Sequence, residues 1–152
     1  MILLDYLNGD VLAIPCLMFR DVAGHEDLTE SIIGCGIRAH ETWGPGLLES
    51  IYEACLVVEL QEAGHRVDTN RRLHLVYKGH DLKVDFCPDL IVDDIVVVEV
   101  KALEKLAAVH TAQLITYLKL TGLPLGLLMN FNVPRLKEGT HRVVRPDLLV
   151  RS

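Results

Sequence analysis

The chain has 152 residues, 50% of them hydrophobic, and its formal net charge is −6 at pH 7. This length suits one ordinary domain with its own core, and a mean hydropathy of +0.28 excludes a disordered tail. The acidic balance argues against binding nucleic acid through bulk positive charge. The charge is uneven, however. Residues 1–30 carry six acids and one arginine, whereas residues 131–152 carry five Lys or Arg and two acids, which predicts a local basic patch.

Cysteine spacing and apolar runs indicate the compartment. The four cysteines are scattered and form no CxxC pair. We therefore expect reduced thiols in a cytoplasmic protein, rather than a disulfide framework or a zinc site. No apolar run reaches the roughly 18 residues of a membrane span, so no membrane partner is expected. Residues 1–25 show no clear period and make a poor signal peptide. We interpret them as an N-terminal extension of unknown role that precedes a single domain over residues 26–152.

The first predicted helix begins with Asp27 or Thr29 as its N-cap. Apolar residues then recur at three- and four-residue spacing to about residue 41. Gly34 and Gly36 lower the helix propensity of this segment, which suggests that another element approaches it closely there.

A second helix is predicted over residues 47–63, after a Gly44-Pro45-Gly46 turn, and Gly64 supplies the left-handed residue that ends it. Its expected buried side consists of Leu48, Ile51, Tyr52, Cys55, Leu56 and Leu60. Strands over about 66–77, 82–86 and 94–101, a helix over 109–120 and a doubly buried strand over 125–131 follow. This order predicts an α/β fold in which helices pack on the faces of a mixed sheet.

The stretch from Pro88 to Lys101 reads as two adjacent strands with charged residues near their ends. Side chains alternate along a strand, so Glu99 and Lys101 are expected on the same side. Such charges beside a buried strand cost free energy unless they are paired or bound to a metal. Asp89 and Glu99 would suit Mg²⁺ or Mn²⁺, and Lys101 could orient a water or stabilise negative charge on a phosphate. The alternative is a surface ion pair at the sheet edge.

Three further polar residues could join this edge. Glu49 lies in the first turn of the second helix, where an acid is favourable even without a function. Gln113 and Tyr117 are four residues apart in the next helix and can point to one place, although separately they suit a solvated and a packing residue. His110 could carry a proton, but a lone histidine at a helix start is usually structural.

The segment GPGLLESIYE over residues 44–53 resembles the signature of the GxxExxY proteins, a family within the PD-(D/E)XK nuclease superfamily. Gly46, Glu49 and Tyr52 are the named positions of that signature. The resemblance spans about residues 26–145 and continues through the segments PDL (88–90), VEVKA (98–102), QLITYLK (113–119) and GLLMNF (126–131). Two departures are mild: Trp43 stands where leucine is usual, and Cys87-Pro88 stands where Arg-Ala is commoner.

The resemblance implies a restriction-endonuclease-like core with a central mixed sheet of about four strands flanked by helices. Asp89, Glu99 and the Val100 carbonyl would hold Mg²⁺ or Mn²⁺, with no other cofactor. Lys101 would be the catalytic lysine, and Glu49 an additional acid. Gln113 and Tyr117 would form the QxxxY element found in several nuclease branches.

The expected function is therefore a metal-dependent nuclease that hydrolyses phosphodiester bonds, with DNA as the expected substrate. An alternative is a catalytically silent nucleic-acid- or protein-binding module that retains the nuclease fold. A third reading is a metal-dependent hydrolase of a small phosphorylated molecule. Homodimerisation is compatible with the first two readings, because it would double the contact surface.

Overall fold

The computed structural model describes residues 24–148, so the interpretation of residues 1–23 lies outside the described residues. The helices are α1 (Glu26–Trp43), α2 (Glu49–Glu62) and α3 (Ala108–Thr121). The strands are β1 (Val67–Asp68), β2 (Leu73–Tyr77), β3 (His80–Phe86), β4 (Leu90–Val92), β5 (Val96–Lys101), β6 (Leu125–Asn130) and β7 (Thr140–Val144). Two short 3-10 turns, Leu136–Gly139 and Pro146–Leu148, complete the described chain.

A five-stranded mixed sheet forms the centre, in the order β1-β4-β5-β6-β7. Strands β5 and β6 run parallel, and their neighbours are antiparallel. Strands β2 and β3 form a separate two-stranded ribbon. The predicted mixed α/β architecture is confirmed, and the sheet has five strands rather than about four. Strand β7 is half polar and was not predicted, and most of the strands predicted over about 66–77 and 82–86 lie in the separate ribbon.

Helices cover both faces of the sheet. Val96 and Val98 belong to the core on the side of α1 and α2, whereas Val97 belongs to the core under α3. All six residues of β6 are buried as well. The apolar runs of these two strands are therefore covered on both faces, as predicted, because a parallel pair at the centre of three layers has no solvent side.

Helix α1 differs from its prediction at the start and agrees at one glycine. It begins at Glu26, and the Thr29 hydroxyl donates to the carbonyls of His25 and Glu26 instead of capping the helix. A Cβ on Gly36 would collide with the side-chain ends of Met129 and Leu136, so the predicted close approach is correct there. It is wrong at Gly34, where the nearest atom is Arg38 Nη1 at 3.8 Å.

The predicted buried side of the second helix is wrong at its beginning. Leu48 and Ile51 are 71% and 39% exposed, whereas Tyr52, Leu56 and Leu60 are fully buried. The reason is that α2 starts at Glu49, so Leu48 is an extended residue outside the helix rather than part of its apolar stripe.

A hydrogen-bonded chain ties three elements together at the far end of the sheet. Ser31 Oγ lies 2.7 Å from His65 Nε2, and His65 Nδ1 lies 2.7 Å from Asp93 Oδ2. Asp93 Oδ1 also accepts the Arg66 N–H. A serine, a histidine and an aspartate in such a chain could suggest a hydrolase site. Ser31, however, lies inside α1, where the neighbouring backbone N–H groups donate within the helix and cannot stabilise an oxyanion. The arrangement therefore serves to join α1, the end of α2 and the β4–β5 turn.

No helix in residues 24–148 is long and apolar enough to cross a membrane. Cys35, Cys55 and Cys87 are free thiols.

Candidate active site

Asp89 and Glu99 meet where β4 and β5 end. The register that pairs Leu90 with Val98 places Asp89 opposite Glu99, and the Asp89 N–H donates to Glu99 Oε1 at 2.9 Å. Ile91 and Val97, each two positions along its strand from one of these acids, belong to the core under α3. Because side chains alternate along strands, both carboxylates lie on that same face.

On the β4 side of β5, the Val100 backbone has no regular β-sheet hydrogen-bond partner. Its N–H donates to Asp89 Oδ2 at 2.8 Å. Continuing the β4–β5 register would bring Pro88 opposite it, and proline has no N–H to donate to the Val100 carbonyl. Lys101, one residue on, accepts the Phe131 N–H on the β6 side. Since carbonyls alternate along a strand, the Val100 oxygen faces the edge that carries Asp89.

Lys101 is the cation of this edge. Its Nζ lies 3.8 Å from Glu99 Oε2. The Lys101 side chain is 16% exposed and that of Glu99 is 2% exposed, so the pair is nearly enclosed. The surface ion pair that was the alternative interpretation of these residues is therefore wrong. The energetics of a weak, solvated pair do not apply to charges that are removed from water to this extent.

Several carboxyl groups at this edge are costly to ionise, and their pKa values are raised. Burial and the neighbouring Asp89 carboxylate raise the pKa of Glu99 to about 8, although the Asp89 N–H and Lys101 favour its ionised form. Burial likewise raises the pKa of Asp89. Glu53 shows the same direction, because burial, Asp89 and Glu49 all raise its pKa. Glu99 is therefore largely protonated at neutral pH in the absence of a further cation, because the protein's own cations only partly compensate the charge of this cluster.

Helix α2 delivers Glu49 to the same edge. Glu49 is its first residue, and Glu49 Oε1 accepts the Ala102 N–H, which follows β5, at 3.3 Å. Tyr52, fully buried one turn later, donates its hydroxyl to the Gly44 carbonyl and accepts the Leu47 N–H at 3.1 Å. This tyrosine therefore fixes the turn from which the helix starts and hence the position of Glu49.

Helix α3 contributes Gln113 and Tyr117 from the other side. Gln113 Nε2 donates to the Tyr117 hydroxyl at 3.3 Å, and that hydroxyl donates to the Cys87 carbonyl at 3.1 Å. Burial, followed by the charges of Glu99 and Asp89, raises the pKa of Tyr117 to about 12. The tyrosine thus lies within electrostatic reach of both acids, as the i, i+4 spacing predicted, and holds the segment that leads into Asp89.

Three further polar residues belong to the elements that form this edge. Asn130, opposite Lys101 in the register of β6, is buried and bonds both the N–H and the carbonyl of Leu103. It fixes the chain leaving β5, and sequence reasoning missed it, although a polar residue at the end of an apolar strand was the available signal. Glu53 was missed as a fourth acid. His110 has the structural role expected, because its Nδ1 accepts the Ala107 N–H.

A family model for the PD-(D/E)XK nuclease superfamily matches residues 26–143 of this chain. The chain belongs to the PD-(D/E)XK nuclease superfamily. Members of this superfamily are typically nucleases, which supports a nuclease-type function and a nucleic-acid substrate in general terms. No curated protein and no solved structure matches the chain.

Nucleases of this superfamily generally use divalent metals, so the donor set can be tested against one. Within residues 24–148, no group of three or more His, Cys, Asp or Glu side chains is arranged to hold an ion. Mg²⁺, however, is usually bound by one or two carboxylates, with water and substrate phosphate supplying the rest. Asp89, Glu99 and the outward Val100 carbonyl are hard oxygen donors of that kind, and the uncompensated charge around them favours a cation. The residues therefore fit a divalent ion.

Proposed function

We propose that this protein is a divalent-metal-dependent nuclease of the GxxExxY type, which hydrolyses phosphodiester bonds in DNA in the cytoplasm. The observation that carries the proposal is the enclosed edge where Asp89 and Glu99 face each other with Lys101 beside them. An ion pair with no function would not need a buried Glu99 beside a half-buried Asp89, because each carboxylate costs desolvation free energy.

Each residue has a role that follows from its position. Asp89, Glu99 and the Val100 carbonyl would hold Mg²⁺ or Mn²⁺, which when bound polarises a phosphate and lowers the pKa of water. Lys101 has a free ammonium donor on the face of the acids, suited to orienting water and stabilising charge that develops on the phosphate. Glu49 reaches the end of β5 from α2 and is suited to accept a proton from water.

The second group of residues positions the first. Tyr117 holds the Cys87 carbonyl and receives the Gln113 amide, so this pair fixes the approach of the chain to Asp89. Gly46 has φ of +111°, a backbone conformation that favours glycine, in the turn pinned by Tyr52. Gly46, Glu49 and Tyr52 therefore have linked tasks, which supports the GxxExxY assignment.

Cleavage assays with matched lysine variants test the proposal. Single-stranded, duplex and branched DNA, and RNA, would be incubated with the protein in Mg²⁺, in Mn²⁺ and in EDTA. Lys101→Ala should abolish metal-dependent cleavage while the unfolding transition is retained. Lys119→Ala, an exposed lysine on α3, should leave the rate unchanged. A protein that cuts none of these substrates, or a Lys101→Ala variant that cuts as fast as wild type, would refute the enzyme assignment.

The second candidate is a catalytically silent binding module. It is favoured by the net charge of −6 and by the lack of a preformed three-acid cage in residues 24–148. Such a module would bind without cutting, and a salt titration identifies its partner. Binding to phosphates should weaken steeply with ionic strength, whereas binding to an apolar protein surface should not.

A further inference from the structure

An exposed apolar pair flanks the candidate active site. Trp43 is the last residue of α1 and is 58% exposed, and Leu48 immediately precedes α2 and is 71% exposed. Both lie at the ends of the short turn from which Glu49 enters the site. Leu48 has the largest exposed fraction among the large hydrophobic residues of residues 24–148, and Trp43 is the single tryptophan of the sequence.

The turn that carries this pair is held firmly. The Gly44 N–H donates to the His40 carbonyl at 2.6 Å, while the Tyr52 hydroxyl bridges Gly44 and Leu47. The Tyr52 ring stacks on Phe131 with 4.6 Å between ring centroids. Phe131 in turn donates its N–H to the Lys101 carbonyl at 2.8 Å. The backbone that presents Trp43 and Leu48 is thus linked directly to the catalytic strand.

The surroundings differ in charge on the two sides of the pair. Leu48 adjoins Glu49 and its neighbouring acids. His40, three residues before Trp43 on the same side of α1, bonds the Val133 carbonyl through Nε2 at 2.8 Å. The segment that follows Val133 exposes two cations, Arg135 and Lys137, and one acid, Glu138. The turn that carries the apolar pair is therefore joined to the acidic edge through Glu49, and to the segment of Arg135 and Lys137 through α1.

We propose that Trp43, supported by Leu48, is a stacking platform for an unpaired nucleobase of the strand being cut. This inference rests on the proposed nuclease function and specifies its substrate class. A base face is neutral and suits an apolar platform, and base–aromatic stacking is tolerant of sequence. Arg135 and Lys137 would contact the phosphates beyond that base. The preferred substrates are then single strands, frayed ends and flaps, and fully paired duplex is disfavoured.

The chain contains a single tryptophan, so its fluorescence reports on this platform alone. The protein would be titrated in EDTA, which prevents cleavage, with a short single-stranded oligodeoxynucleotide. Parallel titrations would use a hairpin duplex of the same sequence and an abasic oligomer of the same length. Quenching by the single strand, with little change on adding the duplex or the abasic oligomer, is the expected result.

Affinity and cleavage of variants complete the test. Trp43→Ala should weaken single-strand binding by about 5- to 150-fold, and Trp43→Phe should recover most of the loss. The control is Val58→Ala, which removes an exposed apolar side chain further along α2 and should bind as wild type. Denaturant unfolding of each variant establishes that the fold is intact.

The outcomes separate the two proposals. If the protein cleaves nucleic acid but Trp43→Ala binds and cuts single strands as wild type does, the platform is refuted and the nuclease stands. If neither binding nor cleavage of any nucleic acid occurs, both are refuted. A different result would be that the emission maximum of Trp43 shifts with protein concentration, and that size-exclusion chromatography shows a dimer which Trp43→Ala dissociates. The surface would then join two copies of the chain, and the base platform would be refuted.

Discussion

Replacing Glu99 by glutamine should stabilise the metal-free protein while removing its activity. Glu99 is nearly inaccessible, and its carboxylate is ionised only against the penalties of burial and of the Asp89 charge. Glutamine has the same shape and keeps an oxygen that can accept the Asp89 N–H. What it removes is the charge, which is needed to bind a cation but unfavourable without one.

The magnitude follows from the pKa. Folding raises the pKa of Glu99 from 4.5 to about 8, which corresponds to at most roughly 5 kcal/mol. Lys101 loses its partner in the variant, so we expect a net gain of about 1–3 kcal/mol in the free energy of unfolding. The native state holds the proton more tightly than the unfolded chain. Stability of the wild type therefore falls as pH rises from 4.5 to about 8, and the advantage of the variant grows over that window.

The assay is denaturant unfolding in EDTA at pH 5 and pH 9, for wild type, Glu99→Gln and the exposed control Glu62→Gln. The Glu99→Gln advantage should be small at the lower pH and fully developed at the higher one. Added Mn²⁺ should then stabilise the wild type, because a ligand that binds only the native state raises its stability. The variant should gain much less.

Two results would refute this reasoning. A Glu99→Gln protein that is less stable than wild type by the same amount at both pH values would make Glu99 a structural hydrogen-bond acceptor. Equal stabilisation of wild type and variant by Mn²⁺ would place the ion elsewhere.

Two further predictions concern the fold. Gly36→Ala should be about 1–3 kcal/mol less stable than its helix-matched control Gly34→Ala, because only at Gly36 does a Cβ meet Met129 and Leu136; equal unfolding midpoints would contradict the close packing. Asp93→Asn should lose roughly 1–2 kcal/mol at neutral pH. Burial raises the pKa of Asp93, but the Arg66 N–H and His65 outweigh it and lower the pKa overall. The Asp93 carboxylate therefore stabilises the fold above the ordinary Asp pKa, and this stabilisation is lost as pH falls through the lower pKa of the folded state. Urea unfolding at neutral and acidic pH measures the deficit of the variant. A deficit that persists undiminished in acid would contradict the prediction.

Local chemistry in the sequence was sufficient for the main elements of the fold. The apolar runs of β5 and β6 predicted strands covered on both sides. Gly64 has the left-handed backbone expected after α2. These properties depend on the period and type of neighbouring residues, which the sequence records directly. The edge strand β7 and the exposure of Leu48 were missed, because they depend on where each element stops against its neighbours.

For the candidate site, too, some features could be predicted from local sequence and others could not. Alternation along β5 was enough to place Glu99 and Lys101 on one face, and the i, i+4 spacing was enough to pair Gln113 with Tyr117. Tertiary structure alone decided that Asp89 stands opposite Glu99 and that Pro88 leaves the Val100 carbonyl without a ladder donor.

The energetic character of the site also came only from the fold. Desolvation depends on every atom packed around a group, so no spacing in the sequence could reveal that Glu99 is nearly inaccessible and has a pKa of about 8. The turn between α1 and α2 is a second case. Trp43 and Leu48 look like ordinary core residues in the sequence, and only the structure shows that both are exposed, at the two ends of a turn that Tyr52 holds. Sequence determined which residues could carry the chemistry, and packing over long separations determined their charge state, their partners and their access to a substrate.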